Sequence, residues 1–203
     1  MELFPKEENV NILPKDGRVY YYPSFYNIKE CTTYLEKLID TIDWKNEIVF
    51  LFGKEIILNR KFAFYADDHI TYTYSKSQKI GNEWNNFLLC LKQEIENKTN
   101  VKYNACLLNL YYDGNDGMGW HSDDEKEIIE NSSIASLSFG ANRKFSFKHK
   151  KTKQTISFEL ENGSLLEMKG ETQKYWLHSL PKTKKNKNIR INLTFRQMKN
   201  ENK

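Results

Sequence analysis

Cysteine is scarce in this sequence, and the few cysteines present exclude two common kinds of site. The chain has 203 residues and three cysteines, Cys31, Cys90 and Cys106. None of them is spaced as Cys-x-x-Cys, the pattern typical of zinc ligands, and their odd number argues against a disulfide framework. We therefore expect reduced, mostly buried thiols in an intracellular protein.

Long apolar runs are also missing. The longest, Ile48 to Phe52, is far shorter than the roughly 20 residues that a helix needs to cross a bilayer. Residues 1–10 contain three glutamates and no apolar core, so we expect no signal peptide. The sequence predicts no membrane contact.

A strong excess of charge of either sign is absent as well. The formal net charge of +4 permits a nucleic acid as partner without requiring one. Two basic clusters, Lys144 to Lys153 and Lys182 to Lys187, have two readings. They are either a surface that contacts phosphates or solvated turns of a lysine-rich protein.

Glycine and proline are few, nine and four, and several of them mark turns between regularly patterned segments. Apolar residues at helical spacing predict amphipathic helices over residues 27–39 and 82–98. After residue 100 the period is two, and it predicts strands at 105–112, 133–139, 144–148, 155–160, 164–168, 173–178 and 189–196. Strands at this density predict an α+β, mainly β fold with a closed or sandwiched sheet.

The N-terminal half contributes strands at 19–22 and 70–75 and a hairpin over 47–58. Phe52 at the hairpin tip either folds back into the core or acts as a wedge against a partner. Tyr72 and Tyr74 share one face of their strand, as core residues or as a stacking platform for a flat ring. We interpret His69 as a solvated loop histidine.

The stretch from Asn109 to Asp124 carries the first chemical signal. It runs as a strand, breaks at three glycines, and then places His121 and Asp123 two residues apart. On an extended segment this spacing puts an imidazole and a carboxylate on one face. With His178 they would form the two-histidine, one-carboxylate triad that binds iron(II) and leaves coordination positions open.

The last predicted strand carries the second signal. Its apolar residues share one face, and its polar face carries Arg190, Asn192, Thr194 and Arg196. Two arginines turned into a barrel require anions, and a small dicarboxylate would supply two. Asn109 and Tyr111, on one face of the strand at 105–112, could add hydrogen-bond donors.

The motifs then support a resemblance. They are Asn109-Leu-Tyr111, His121-Ser-Asp123-Asp-Glu, Ser136-Leu-Ser-Phe-Gly140, His178-Ser-Leu-Pro and Arg190-Ile-Asn-Leu-Thr-Phe-Arg196. Together they resemble the AlkB family of iron(II)- and 2-oxoglutarate-dependent dioxygenases over almost the whole chain. The hairpin Leu51-Phe52-Gly53-Lys54 is most similar to that of the nuclear DNA-repair members.

The resemblance implies a fold: one domain over residues 1–203 with a double-stranded β-helix, or jelly-roll, core. Residues 1–100 or so would form two flanking N-terminal helices and a nucleotide-recognition lid, and about 101–198 the catalytic core. It also implies that Fe(II) is held by His121, Asp123 and His178. The co-substrate 2-oxoglutarate would be held by Asn109, Tyr111, Arg190, Asn192, Thr194 and Arg196, and O2 would complete the reaction.

On the substrate side the resemblance implies a catalytic role for Asp124. Phe52 would fill the gap left by a flipped base. Substrate contacts would come from Phe52, Gly53, Lys54, Arg60, Tyr72, Thr73, Tyr74, Asp124 and Glu125. Three departures fall on this side of the site: Asn59 stands where the family tends to have proline, and Ala66 and Lys76 where glycine is common.

The implied activity is oxidative demethylation of bases such as 1-methyladenine and 3-methylcytosine in DNA, which is direct-reversal repair. The expected partner is duplex DNA with a flipped base, bound by a monomer in the nucleus of a eukaryote or otherwise in the cytoplasm. Three alternatives remain open: an RNA demethylase, a protein hydroxylase, and a nucleic-acid-binding module without catalysis. The presence of all three candidate ligands and both arginines favours an enzyme over the last of these.

Overall fold

Two facing antiparallel sheets form the centre of the protein. The computed structural model describes residues 10–51, 54–68, 70–74 and 77–199. The larger sheet has the strand order β1-β11-β8-β13-β6-β3-β2, and the smaller one has the order β10-β9-β12-β7. The strands of the two sheets are β1 (Arg18–Tyr22), β2 (Lys45–Leu51), β3 (Lys54–Ala66), β6 (Ala105–Tyr111), β7 (Met118–His121), β8 (Ile134–Gly140), β9 (Arg143–His149), β10 (Thr155–Leu160), β11 (Leu165–Lys169), β12 (Trp176–Leu180) and β13 (Arg190–Arg196).

Apolar side chains fill the space between the sheets. The larger sheet contributes Val19 and Leu166, and the smaller sheet contributes Phe147, Trp176 and Leu180, all of them buried. This arrangement of antiparallel strands in two packed layers is the predicted jelly-roll core. The polar face of β13 lies between the sheets, because the opposite, apolar face of that strand packs against helices on the outer side of the larger sheet.

Two helices cover the outer face of the larger sheet, at the positions that the apolar spacing indicated. Helix α1 (Ile28–Thr41) begins with a capping box between Asn27 and Glu30. Helix α2 (Asn86–Thr99) is capped by Asn85 and ends at Asn100. Leu38 of α1 and Leu91 of α2 share one buried cluster with the apolar residues Ile191, Leu193 and Phe195 of β13.

The prediction of a strand over 173–178 was wrong in its first half. Residues Thr172–Tyr175 form a helical turn, α3, and only then does β12 begin. Thr172 fixes this turn, because its hydroxyl donates to the carbonyl of Lys169 at 2.6 Å and accepts from the backbone N–H of Arg18 at 3.0 Å. These tertiary contacts override an alternation that is compatible with a strand.

Strands β4 (Thr71–Tyr74) and β5 (Ser77–Ile80) form a separate two-stranded sheet. The alternation of the sequence predicted the first of them and missed the second. Phe52, Gly53, His69 and Lys76 lie outside the described residues, and the role of this region as a lid stays a prediction. Among the described helices, none has the length and apolar character needed to span a bilayer.

Candidate metal and co-substrate site

Three side chains converge because β7 and β12 pair antiparallel with His121 opposite His178. Asp123 lies two residues beyond the end of β7, and its carboxylate points toward both imidazoles. Its Oδ1 lies 3.6 Å from Nε2 of His121 and 3.8 Å from Nε2 of His178. The candidate donor atoms of the three residues all lie within 4.8 Å of one another.

Neighbouring groups fix the orientation of two of these side chains. The Nδ1 atom of His121 lies 2.8 Å from the carbonyl oxygen of Gly119, which leaves Nε2 directed at Asp123. Arg196 donates from Nη2 to Oδ2 of Asp123 at 2.8 Å, and the N–H of Asp123 donates to Oε1 of Gln173 at 2.9 Å. Asp123 is therefore held at both its backbone and its carboxylate.

The protonation states suit metal binding, which requires a neutral imidazole and an ionised carboxylate. Burial, with His121 close by, lowers the pKa of His178 to about 3, so its ring is neutral at pH 7. Burial alone would raise the pKa of Asp123. The charge of Arg196 and the two histidines outweigh burial and hold that pKa far below its usual range.

Arg190 lies at the other end of β13 from Arg196, six residues or about 20 Å along the strand. Its guanidinium is fully buried and lies over the ring of Tyr111, with Cζ 5.4 Å from the ring centroid. Nη2 donates to the hydroxyl of Ser138 at 2.9 Å. Burial lowers the pKa of Arg190 to about 10, so the side chain remains a cation at pH 7.

The polar residues between the two arginines form a row across three strands. Asn192 of β13 lies opposite Asn109 of β6 on one side and Ser138 of β8 on the other. Its Nδ2 donates to the hydroxyl of Ser136 at 2.9 Å. One cavity is lined by all nine residues predicted to hold metal or co-substrate: His121, Asp123, His178, Asn109, Tyr111, Arg190, Asn192, Thr194 and Arg196.

The donor set fits a cation and a dicarboxylate. Within the described part of the chain, the buried Nε atom of Arg190 has no hydrogen-bond partner. A buried guanidinium N–H without an acceptor is costly, and an anionic group would satisfy it. Two nitrogen donors and one carboxylate oxygen are the ligands that iron(II) oxygenases use.

The predicted substrate residues are distributed differently. Arg60 is buried and pairs with Glu47, while its Nη1 donates to the carbonyl of Gly117 at 3.0 Å. Asp124 is exposed and accepts from the hydroxyl of Ser122 at 2.8 Å. Asp124 and the partly buried Glu125 line an adjoining depression with Asp123 rather than the cavity itself. Their substrate roles stay predictions.

The remaining substrate calls concern residues near the two hairpins. Phe52 and Gly53 lie outside the described residues, as noted above. Lys54 is the first residue of β3, and Tyr72, Thr73 and Tyr74 are positions of β4. The departures at Asn59 and Ala66 fall on β3 as well, and Asn59 donates from Nδ2 to Asp116 at 3.1 Å.

Sequence reasoning missed three residues around the site. Glu47 lines the cavity, Gln173 holds Asp123, and Lys150 donates to Ser122 at 3.0 Å and to the carbonyl of Gln173 at 2.8 Å. Glu47 follows Lys45 and Asn46 in the sequence, so no local pattern distinguished it from an exposed polar residue. The other two act through contacts between segments distant in sequence.

The basic run Lys182 to Lys187 lies in a loop that is fixed at its base. Gly114 donates to the carbonyl of Asn186 at 2.9 Å, and Thr183 donates to the carbonyl of Gly114 at 2.7 Å. A side chain at Gly114 would collide with Thr183, since an added Cβ would lie 2.0 Å from that residue's carbonyl oxygen. The loop therefore presents exposed lysines at a defined place.

This combination of fold and site is the one that iron(II)- and 2-oxoglutarate-dependent oxygenases use, in which two histidines and a carboxylate leave half of the metal's coordination sphere open. Comparison with known proteins agrees. A family profile described as the 2OG-Fe(II) oxygenase superfamily matches residues 18–196. A solved structure of OsALKBH1 has the same fold, with a TM-score of 0.64 and 14% identity, covering 88% of this chain and 96% of that one.

Proteins that are similar in sequence indicate a family within this class of oxygenases. The human protein named alpha-ketoglutarate-dependent dioxygenase alkB homolog 3 is 36% identical over 190 residues, which cover 89% of this chain and 66% of that protein. The human DNA oxidative demethylase ALKBH2 is 38% identical over 172 residues, 81% of this chain and 66% of that protein. This chain thus spans just under two thirds of either relative. It belongs to the 2OG-Fe(II) oxygenase superfamily and, within it, to the AlkB family.

Proposed function

We propose that this protein is an iron(II)- and 2-oxoglutarate-dependent dioxygenase that removes N-methyl groups from 1-methyladenine- and 3-methylcytosine-type bases in DNA. Per methyl group, one O2 and one 2-oxoglutarate are consumed. One oxygen atom enters the methyl carbon and the other enters succinate, with loss of CO2. The resulting N-hydroxymethyl group breaks its N–C bond and leaves as formaldehyde, and the repaired base is restored.

The observation that carries this proposal is the shared cavity. The His121–Asp123–His178 group and both buried arginines face one space between the sheets. The names of the relatives add the substrate class, because one is called a DNA oxidative demethylase and the other an alpha-ketoglutarate-dependent dioxygenase. A nucleic acid as partner also agrees with the exposed lysine loop.

Each ligand has residues suited to hold it. His121, Asp123 and His178 would bind the iron. Arg190 and Arg196 would pair with the carboxylates of 2-oxoglutarate, because guanidinium groups match carboxylates with two parallel hydrogen bonds. Four further polar residues that line the cavity, Asn109, Tyr111, Asn192 and Thr194, would fix its orientation. When bound, iron and 2-oxoglutarate together supply the activation of O2 that oxidises the methyl carbon.

The chain's own contribution is the position of these groups and part of an apolar wall. The side chains of Phe62, Leu107 and Phe145 line the same cavity, and the Phe145 ring stacks on that of His178 with their centroids 5.5 Å apart. With substrate bound, such a wall would help to exclude water from the reacting groups. Arg196 keeps Asp123 ionised and oriented, and the buried His178 stays neutral, as described above. These groups keep the site ready to bind metal without a change of protonation near neutral pH.

An assay of formaldehyde and succinate tests the proposal. The protein is supplied with Fe(II), 2-oxoglutarate and an oligonucleotide that carries one 1-methyladenine. We expect both products in equal amounts, and we expect Asp123→Ala and Asp123→Asn to reduce them to background while DNA affinity changes less than threefold or so. Two variants are needed because Ala removes the oxygen to which Nη2 of Arg196 donates, whereas Asn keeps the shape of the side chain and an amide oxygen in its place.

The same assay separates the alternatives. Methylated duplex DNA, single-stranded DNA, RNA and a methylated peptide are offered at equal concentration. Highest turnover on DNA supports the proposal, and highest turnover on RNA or peptide replaces it with the corresponding activity on the same fold. Binding of DNA with no turnover of any substrate would overturn the assignment as an enzyme.

A further inference from the structure

Glu47 is a carboxylate inside the cavity that the triad and the arginines do not explain. It lies on β2, is 4% exposed, and lines the cavity together with Phe62 and Met118. The register between β2 and β3 shifts between Asn46 and Ile48, so Glu47 stands at a β-bulge. A bulge redirects a side chain away from the regular alternation of its strand. The neighbouring Ile48 is 44% exposed, whereas Glu47 turns inward.

Arg60 holds this carboxylate in place. Its Nε atom donates to Oε2 of Glu47, and the guanidinium is 6% exposed. Nη1 donates to the carbonyl of Gly117 at 3.0 Å and lies 3.4 Å from the sulfur of Met118, the residue that begins the strand carrying His121. The Glu47–Arg60 pair therefore joins the β2–β3 hairpin to the strand of the metal site.

Stability alone does not account for the pair. Removing two charges from water is costly, and a buried ion pair is often no more stabilising than apolar side chains of similar volume. What the pair adds is an anionic group on the cavity wall, at a place where the lining also includes the apolar side chains of Phe62 and Met118. A cationic group that enters the cavity would meet this carboxylate at low dielectric. There a charge favours a cationic ligand over a neutral one more strongly than it would in water.

Methylated bases fall into two groups according to the charge of the ring. A methyl group on N1 of adenine or N3 of cytosine occupies a ring nitrogen that had no proton, so the ring becomes a cation. A methyl group on N1 of guanine or N3 of thymine replaces a proton, so the ring stays neutral. We propose that Glu47, with its charge partly balanced by Arg60, selects cationic methylated bases over neutral ones. This inference rests on the function proposed above.

A matched pair of substrates tests it. Two oligonucleotides differ only in carrying 3-methylcytosine or 3-methylthymine, which have the methyl group on the same ring nitrogen and differ in charge. The readout is the ratio of kcat/KM for the first to that for the second. A lower fraction of folded enzyme reduces both kcat/KM values by the same factor, so it does not change their ratio.

The two partners should shift this ratio in opposite directions. We expect Glu47→Gln to lower it about tenfold, since the cationic base loses its counter-charge and meets the charge of Arg60. We expect Arg60→Gln to raise it, since the carboxylate is no longer balanced. Glu167 supplies the control: it is 1% exposed and pairs with Lys169, and it does not line the described cavity. Glu167→Gln should leave the ratio unchanged.

The outcomes are distinct for each proposal. An unchanged ratio in both variants, or a shift in the same direction in both, overturns the selection by charge while the demethylase assignment stands. If the parent protein turns over neither oligonucleotide, the proposed function is overturned. In that case the ratio of the two binding affinities, measured on the same variants, still decides whether Glu47 selects by charge.

Discussion

Asp123 is the residue at which most contacts of the site meet. Its carboxylate faces His121, His178 and Arg196, and its backbone N–H reaches Gln173 on a different element. A ligand fixed at both ends loses little freedom when it binds a metal, so the groups that fix it contribute to affinity. We therefore expect Gln173 to support metal binding through Asp123.

Replacing Gln173 by alanine should weaken metal binding. The substitution removes the acceptor of the Asp123 N–H, and loss of such a supporting contact typically lowers metal affinity by about 10- to 100-fold. Titration of Mn(II) followed by calorimetry measures this without turnover. Lys174→Ala on the same helical turn is the matched control, because Lys174 is exposed and pairs with Glu171. Equal affinity in Gln173→Ala and the parent protein would contradict the assignment.

Sequence spacing predicted which side chains come together, and it did not predict the groups that hold them in place. His121 and Asp123 were predictable because two-residue spacing places both on one face, and Arg190 and Arg196 because the alternation of β13 separates charge from apolar residues. Gln173 was not, because it lies on a helical turn where the pattern indicated a strand. Glu47 was not, because a bulge redirects it, and no local pattern encodes the bulge.

At the scale of elements, the turn between α2 and β6 illustrates how a helix is fixed to the sheet that carries the site. Glu96 is buried near the end of α2 and accepts from the backbone N–H of Tyr103 at 3.0 Å. Lys92 and Lys102 also pair with it, at 2.9 and 2.7 Å. The chain enters β6 two residues after Tyr103, and β6 bears Asn109 and Tyr111.

Glu96→Gln should destabilise the protein by about 1.5–3 kcal/mol at pH 7, the usual worth of hydrogen bonds to a charged group. Burial opposes ionisation, but Lys102, Lys92 and the N–H of Tyr103 lower the pKa of Glu96 below its ordinary value. The carboxylate's contribution is thus present above the unfolded pKa of about 4.3 and is lost as the pH falls through the lower folded pKa. The difference between variant and parent should shrink over that acid range.

Urea unfolding at a series of pH values checks this expectation. Glu36→Gln on α1 is the control, because Glu36 is exposed, and it should change the free energy of unfolding by less than about 0.5 kcal/mol. A gap between Glu96→Gln and the parent that stays constant down to strongly acid pH would show that the carboxylate's charge is not what stabilises the turn.

At the scale of the whole molecule, the two faces of β13 belong to two different layers. Its apolar face packs against the helices, and its charged face closes the cavity between the sheets. The strong alternation of that one strand made both layers predictable. The loops that follow β6 and β12 were not predictable, because a buried arginine joins them: Arg143 donates to the carbonyls of Asp113, Asp116 and Pro181. Such long-range contacts leave no periodic signal.

The lysines of the 182–187 loop, which is bonded to the segment at Gly114, lead to a prediction on nucleic-acid binding. Lys184 and Lys185 are exposed, and the backbone bonds of Gly114 fix the loop beneath them. Each phosphate contact to duplex DNA adds about 0.9 to the slope of log affinity against log salt concentration. Reversing both charges, Lys184→Glu with Lys185→Glu, should therefore reduce the slope by about 1.8 and weaken binding most at low salt.

Fluorescence anisotropy of a labelled methylated duplex between about 50 and 200 mM salt measures that slope. The matched control reverses two lysines on α1, Lys29→Glu with Lys37→Glu, which changes the net charge equally on the far side of the larger sheet. If the control lowers the slope as much as the loop variant, general attraction by a basic protein accounts for binding. A loss confined to the loop variant locates phosphate contacts on the loop at 182–187.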